Sequence, residues 1–312
     1  MSKKTSIGGQ ALIEGIMMKG PEKTSLAVRL PDGEIDISFL DEKPLKKRFP
    51  ILGWPVIRGV VGFIESMLTG YKALMISADK SGFTEVEEES GEKNKLSEGL
   101  LNIVMVIGAV LGVALAVVLF MAIPRLIVGG LQLVFGELNA LLRSFIEQFI
   151  KLAVFVLYVW GVSRMKDIRR VFMYHGAEHK TIFCYEKGLP LTNENIRPQS
   201  RFHPRCGTSF MILMILVSVV VSTVAQIIFP GVYAVAWLWV IVKILLVPVC
   251  CGVGYELLKF CGRHDNFLTR IIAAPGLWLQ RLTTVEPEDD MLEIAAAALT
   301  AVIPENAEDD RW

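Results

Sequence analysis

The chain has 312 residues, and its 32 Lys and Arg balance 32 Asp and Glu, so the formal net charge is zero. That balance removes any global electrostatic case for nucleic acid as a partner. Hydrophobic residues make up 53% of the chain and mean hydropathy is +0.48, which excludes an ordinary pair of soluble domains and points to a mainly α, polytopic helical membrane protein.

Residues 1–50 read as a small soluble region. Gly8 to Met18 is a glycine-bounded segment interrupted by Glu14, unlike the apolar core of a cleavable signal. Glu14 itself reads as a hydrogen-bonded structural carboxylate ahead of a distant metal ligand. Leu26–Leu30 and Ile35–Phe39 alternate apolar and polar residues around Pro31-Asp32-Gly33, which predicts a β-hairpin. Residues 51–78 are apolar except for Arg58, Glu65 and Lys72, whose seven-residue spacing makes one polar stripe on a helix. That stripe favours an interfacial or re-entrant helix over a span. Residues 79–99, rich in Glu, read as a charged mobile linker.

Four transmembrane helices are expected next. Leu100–Ile123 and Phe145–Val162 form a first transmembrane hairpin within 100–163, with Arg125–Ser144 lying along the outer surface. Thr208–Phe229 and Val232–Tyr255 form a second within 208–256, turned by Pro230-Gly231. Lys243 falls well inside the last span and needs a buried partner, for which Glu65 is the acid at hand. Trp237 and Trp239 suit interface anchors. In 257–312, Phe267–Leu282 is amphipathic with a break at Pro275-Gly276, and Met291–Val302 is an alanine-rich packing helix entered through Pro287 and an acidic first turn.

Charge asymmetry sets the orientation. Fourteen Lys and Arg precede the first span and nine lie in 164–207, against Arg125 and Arg143 in the first outer connection and none in the second. Both termini and the 164–207 loop are therefore expected on the cytoplasmic side of the inner membrane. Five cysteines without paired spacing fit that reduced compartment.

The same loop carries the chemistry. His175 and His179 stand four residues apart with Glu178 between them, so on a helix two imidazoles share one face and a carboxylate lies close by. The order H-x-x-E-H is that of inverted zinc-peptidase motifs. His203-Pro204-Arg205-Cys206 adds a second ligand pair. Two arrangements follow, both with a divalent metal, of which zinc suits the donors best. His175, His179, His203 and Cys206 make a closed structural site; or His175 and His179 combine with Glu256 (His264 or Asp265 as substitutes), leaving a position for water and making Glu178 the general base.

Three motifs resemble those of the YqhQ-like family of uncharacterised bacterial membrane proteins. They are Gly8-Gly9-Gln10-Ala11 through Met18, Tyr174-His175-Gly176-Ala177-Glu178-His179-Lys180, and His203-Pro204-Arg205-Cys206-Gly207-Thr208-Ser209-Phe210. The resemblance implies an integral membrane protein, sometimes labelled a metal-dependent enzyme, with no reaction attached. The leading expectation is a metal-dependent, hydrolytic enzyme at the cytoplasmic membrane surface, in contact with the lipid bilayer. Its rivals are a scaffold with a structural zinc site, and a transporter or channel built on Lys243 and close helix packing at Gly108 and Gly112.

Overall fold

The computed structural model describes residues 4–41, 50–83, 85–87, 93–95, 98–264, 266–306 and 310. The fold is mainly helical, with one small antiparallel sheet, and divides into two units. Residues 1–83, 163–214 and 248–312 make the first; residues 84–162 and 215–247 make the second.

The first unit is built on a four-stranded meander of β1 (Gly8–Leu12), β2 (Gly15–Lys19), β3 (Thr24–Arg29) and β4 (Ile35–Leu40). The expected hairpin is β3–β4, paired Thr24 with Leu40 through Arg29 with Ile35. The glycine-bounded segment adds a second hairpin, β1–β2, whose tight turn puts Glu14 at φ 50°, a left-handed conformation uncommon outside glycine. Alternation sends Ile16, Met18 and Ala27 to one face, where they pack with Tyr174, Ala177 and Ile182 of α5 (Lys166–Glu186) and with Met291, Ile294 and Ala298 of α11 (Asp289–Thr300). Met17, Leu26 and Val28 go to the other face, against Ala73 of α1 (Ile57–Lys80). The central strands β2 and β3 are thus buried on both faces, while Ile37 and Phe39 of β4 are exposed, and α11 is the packing helix its alanines predict.

Arg170 of α5 clamps Glu14, and Tyr174 Oη donates to the same carboxylate at 3.1 Å. Glu14 is therefore the structural carboxylate expected of it, tying the β1–β2 turn to α5. After a short α6 (Asn193–Ile196), Phe210 and Leu213 of α7 (Gly207–Ile228) join Phe63 of α1 and Leu258 of α9 (Ala236–Arg263), which follows a short α8 (Pro230–Ala234), in a third core cluster. Helix α10 (Phe267–Thr283) runs through Pro275 and Gly276 without the expected break. A Cβ on Gly276 would meet Ser209 at 2.6–2.8 Å, so this glycine serves a close helix–helix approach.

In the second unit, α2 (Glu98–Val117) continues through a π turn (Val118–Ala122) into α3 (Ile123–Phe135), so the helix does not end at Ile123. Within the 79–99 segment, Glu85–Glu87 and Lys93–Lys95 pair as a short ribbon, β5 and β6, while Glu88, Glu89 and Glu92 lie outside the described residues. Helix α4 (Ala140–Val162) supplies the partner of Lys243, which is Glu147 at 2.8 Å rather than Glu65. Lys151 shares that carboxylate at 3.0 Å, the i,i+4 pairing its spacing predicts. Trp237 is exposed, whereas Trp239 is buried with Lys243 Nζ 5.8 Å from its ring centre, so Trp239 packs inside instead of anchoring an interface.

Five helices are long and apolar enough to cross a membrane among the described residues: Ile57–Lys80, Val106–Phe135, Leu142–Val162, Gly207–Ile228 and Trp237–Arg263. Four correspond to the expected spans. The fifth, Ile57–Lys80, meets the same length and composition despite its polar stripe.

Candidate metal centre

Helix α5 is continuous through the H-x-x-E-H motif. One turn of helix therefore separates His175 and His179, and their ring centres lie 4.4 Å apart. Cys206, at the entry to α7, completes the group: one ligand atom from each of His175, His179 and Cys206 lies within 4.8 Å of the others. His175 Nε2 is 3.1 Å from Cys206 Sγ.

The far side of each ring is fixed by backbone. His175 Nδ1 is 2.8 Å from the Thr283 carbonyl, and His179 Nδ1 is 2.5 Å from the Arg201 carbonyl. A carbonyl only accepts, so each Nδ1 carries the proton and each Nε2 is aimed at the thiol. His179 Nε2 is buried and has no hydrogen-bond partner among the described residues. An orphaned buried nitrogen is costly unless something else fills its lone pair.

Loop 197–206 is held by side chains that present those groups. Gln280 of α10 accepts from His203 N at 2.7 Å and donates to His203 O at 2.7 Å, with Ser209 Oγ at 3.0 Å from the same amide. Arg201 donates to Thr284 O at 2.9 Å. Lys180 is buried one residue after His179 and donates to the Arg197 carbonyl at 2.6 Å and to Glu286.

Burial disfavours a charged ring at His175, but the adjacent Cys206 sulfur outweighs burial and raises its pKa to about 9. Burial opposes ionisation of Cys206 as well, yet His175 and His179 hold the thiol well below its ordinary range. Each of the two groups thus favours the charged form of the other, and the thiolate is the form of cysteine that ligates a metal. Burial raises the Glu178 carboxyl, against the pull of His179 and His175. His203 is pushed well below the usual histidine range by burial first, then by His179, Arg205 and His175, and is neutral at pH 7.

The remaining expected residues are placed as follows. His203 lies against His179 with ring centres 5.4 Å apart and the rings tilted by 37°, and its Nε2 faces Arg205 Nη2 at 3.3 Å, outside the three-atom cluster. Glu178 accepts from the Gly9 amide at 3.1 Å. Glu256 is held by Arg58, with contacts of 2.7 and 2.5 Å, and by Val56 N at 3.3 Å, and is not brought together with the histidines. His264 is exposed with Nδ1 3.1 Å from Phe260 O, and Asp265 lies outside the described residues.

Three contributors were not foreseen: the Thr283 and Arg201 carbonyls and the Gly9 amide. The carbonyls carry no residue-type signal, because any amino acid supplies one. Gly9 did have a signal in the Gly8-Gly9-Gln10 motif. A Cβ at Gly9 would sit 2.9 Å from the Glu178 carboxyl carbon, so glycine is what lets β1 approach the acid.

Comparison with known proteins gives a family without a function. A family model described as a protein of unknown function, DUF1385, matches residues 54–305. The uncharacterised protein YqhQ of Bacillus subtilis (strain 168) is 35% identical over 299 residues, covering 95% of this chain and 92% of that protein. No solved structure matches.

Proposed function

The chain belongs to the DUF1385 family, and from the His–Cys cluster we propose that it is a membrane-embedded, zinc-dependent hydrolase with its centre on the cytoplasmic side. His175, His179 and Cys206 hold the metal. The observation that carries this reading is the pair of backbone-fixed imidazoles, whose Nε2 atoms converge on the Cys206 sulfur, that of His179 buried and without a hydrogen-bond partner among the described residues. Two imidazoles and a thiolate are a donor set suited to zinc.

A metal held by three protein groups supplies Lewis acidity and makes water a better nucleophile near neutral pH. Glu178, buried with a raised pKa and next in sequence to His179, is the general base. The Gly9 amide orients its carboxylate. His203, held neutral beside Arg205, lies outside the ligand group, which favours an open centre over a closed structural one. The Lys and Arg asymmetry supports a bacterial inner-membrane location with both termini cytoplasmic.

The test is metal content per chain of the detergent-purified protein, paired with turnover of ester, peptide and phosphoester reporters. We expect about one zinc per chain in the wild type, loss in His175→Ala, His179→Ala and Cys206→Ser, and retention in His203→Ala and Glu178→Gln. Reporter turnover disappears in Glu178→Gln. Zinc released by His203→Ala with Glu178→Gln fully active would replace the hydrolase with a structural site.

A further inference from the structure

We infer that a cavity beside the candidate metal centre receives the headgroup of an anionic phospholipid. The cavity has a volume of about 350 Å³ and lies wholly within the first unit, a size at the lower end of small-molecule sites. His203 lines it on one side, and the same ring lies with its centre 5.4 Å from that of His179. The cavity therefore abuts the ligand cluster with a single imidazole between.

Its chemistry is that of an anion site with an apolar wall. Lys4, Arg205 and Arg270 contribute three cations, against one carboxylate, Glu186, among the described lining residues. Glu186 already accepts from Arg205 and from the Thr5 amide at 2.9 Å, and Lys4 Nζ is 2.6 Å from the Gly262 carbonyl. Counting Lys, Arg, Asp and Glu alone, the described lining carries three positive charges and one negative, a net +2. Phosphate matches such a cluster through charge-assisted hydrogen bonds. Phe183, Ala273 and Leu277 offer a surface for the first carbons of a chain.

The source of the phosphate is indicated by α10. One face of this helix supplies Thr269, Arg270, Ala273 and Leu277 to the cavity. Phe267, Leu268, Ile271 and Trp278 on its other side are exposed, Phe267 at 81%. An apolar, Trp-bearing face beside an arginine is the pattern of a helix lying in the headgroup region. The same helix thus meets lipid with one side and walls the cavity with the other. That this lipid is the hydrolase's substrate rests on the metal-centre reading; that it binds does not.

The test uses the full chain purified from membranes containing phosphatidylglycerol and phosphatidylcholine, with retained lipid measured by native mass spectrometry. Retention of phosphatidylglycerol over phosphatidylcholine is expected, falling about tenfold in Arg270→Gln and partly restored in Arg270→Lys. Arg270 is exposed, and an unchanged elution profile of Arg270→Gln on size exclusion shows that the fold survives. Zinc content per chain, measured on the same wild-type preparation, reports the metal reading separately, because lipid retention involves no metal. Equal retention of both lipids, or no loss in Arg270→Gln, overturns the assignment. So does binding of inorganic phosphate, lost in Arg270→Gln, without retained phosphatidylglycerol, because it gives the site to a soluble ligand.

Discussion

Gly176 lies between the two motif histidines, and its substitution tests how the centre is held. A Cβ there would sit 2.1 Å from the Val285 carbonyl oxygen, with the Val285 carbonyl carbon at 3.3 Å. Carbon–oxygen contacts of this kind close at about 3.3 Å, so Gly176→Ala requires a shift of about 1 Å. The obstacle is backbone, pinned where Val285 N donates to Phe172 O at 2.9 Å. Helix propensity alone favours alanine by about 1 kcal/mol. Overpacking costs about 1–3 kcal/mol, so the net effect is destabilising by up to roughly 2 kcal/mol. The shift also moves Thr283, two residues earlier, whose carbonyl fixes His175. Losing such an orienting contact lowers metal affinity about 10–100-fold. Thermal unfolding in detergent and zinc competition against a chelator of known affinity read the two effects. A Gly176→Ala protein that melts at or above the wild type, with unchanged zinc affinity, would refute the account.

Other outcomes follow from pairings in the structure. Glu147→Gln leaves Lys151 and Lys243 facing each other without their shared carboxylate and should cost about 3–5 kcal/mol. Lys243→Met leaves the Glu147–Lys151 pair intact and should cost less, so equal melting temperatures for the two variants would contradict the pairing. Glu256→Gln breaks the contact with Arg58 but should leave zinc content unchanged. With Co²⁺ in place of zinc, the wild type should show a thiolate-to-cobalt charge-transfer band that Cys206→Ser lacks. Lys180→Met removes the donor to the Arg197 carbonyl and should destabilise by about 1–3 kcal/mol, read by thermal unfolding.

Legibility differed by element. The β3–β4 hairpin was readable because alternation and turn chemistry are local. The β1–β2 hairpin escaped, since its strands are short and its turn residue, Glu14, is not a usual turn former. The spans were legible from apolar length, but the helical course through Arg125 was not, because a single arginine at a span's end reads equally as a boundary. Lys243 visibly needed a partner. That the partner is Glu147 depends on how α4 meets α9, which no local pattern encodes. His175 and His179 were readable as a pair from spacing, and Cys206 as a donor from its type.

Residue chemistry along the chain, then, determined the membrane-like helices, the β3–β4 hairpin and a helical histidine pair with an acid beside it. These follow from periodicity and side-chain type, which act over a few residues. Tertiary structure alone decided which donors converge. It brought Cys206 to the pair while Arg58 engaged Glu256, and it placed His203 outside the ligand group. It also aimed both rings through the Thr283 and Arg201 carbonyls. The physical reason is that convergence is a property of packed backbone: every residue has a carbonyl, and only the fold selects which one a ring nitrogen meets.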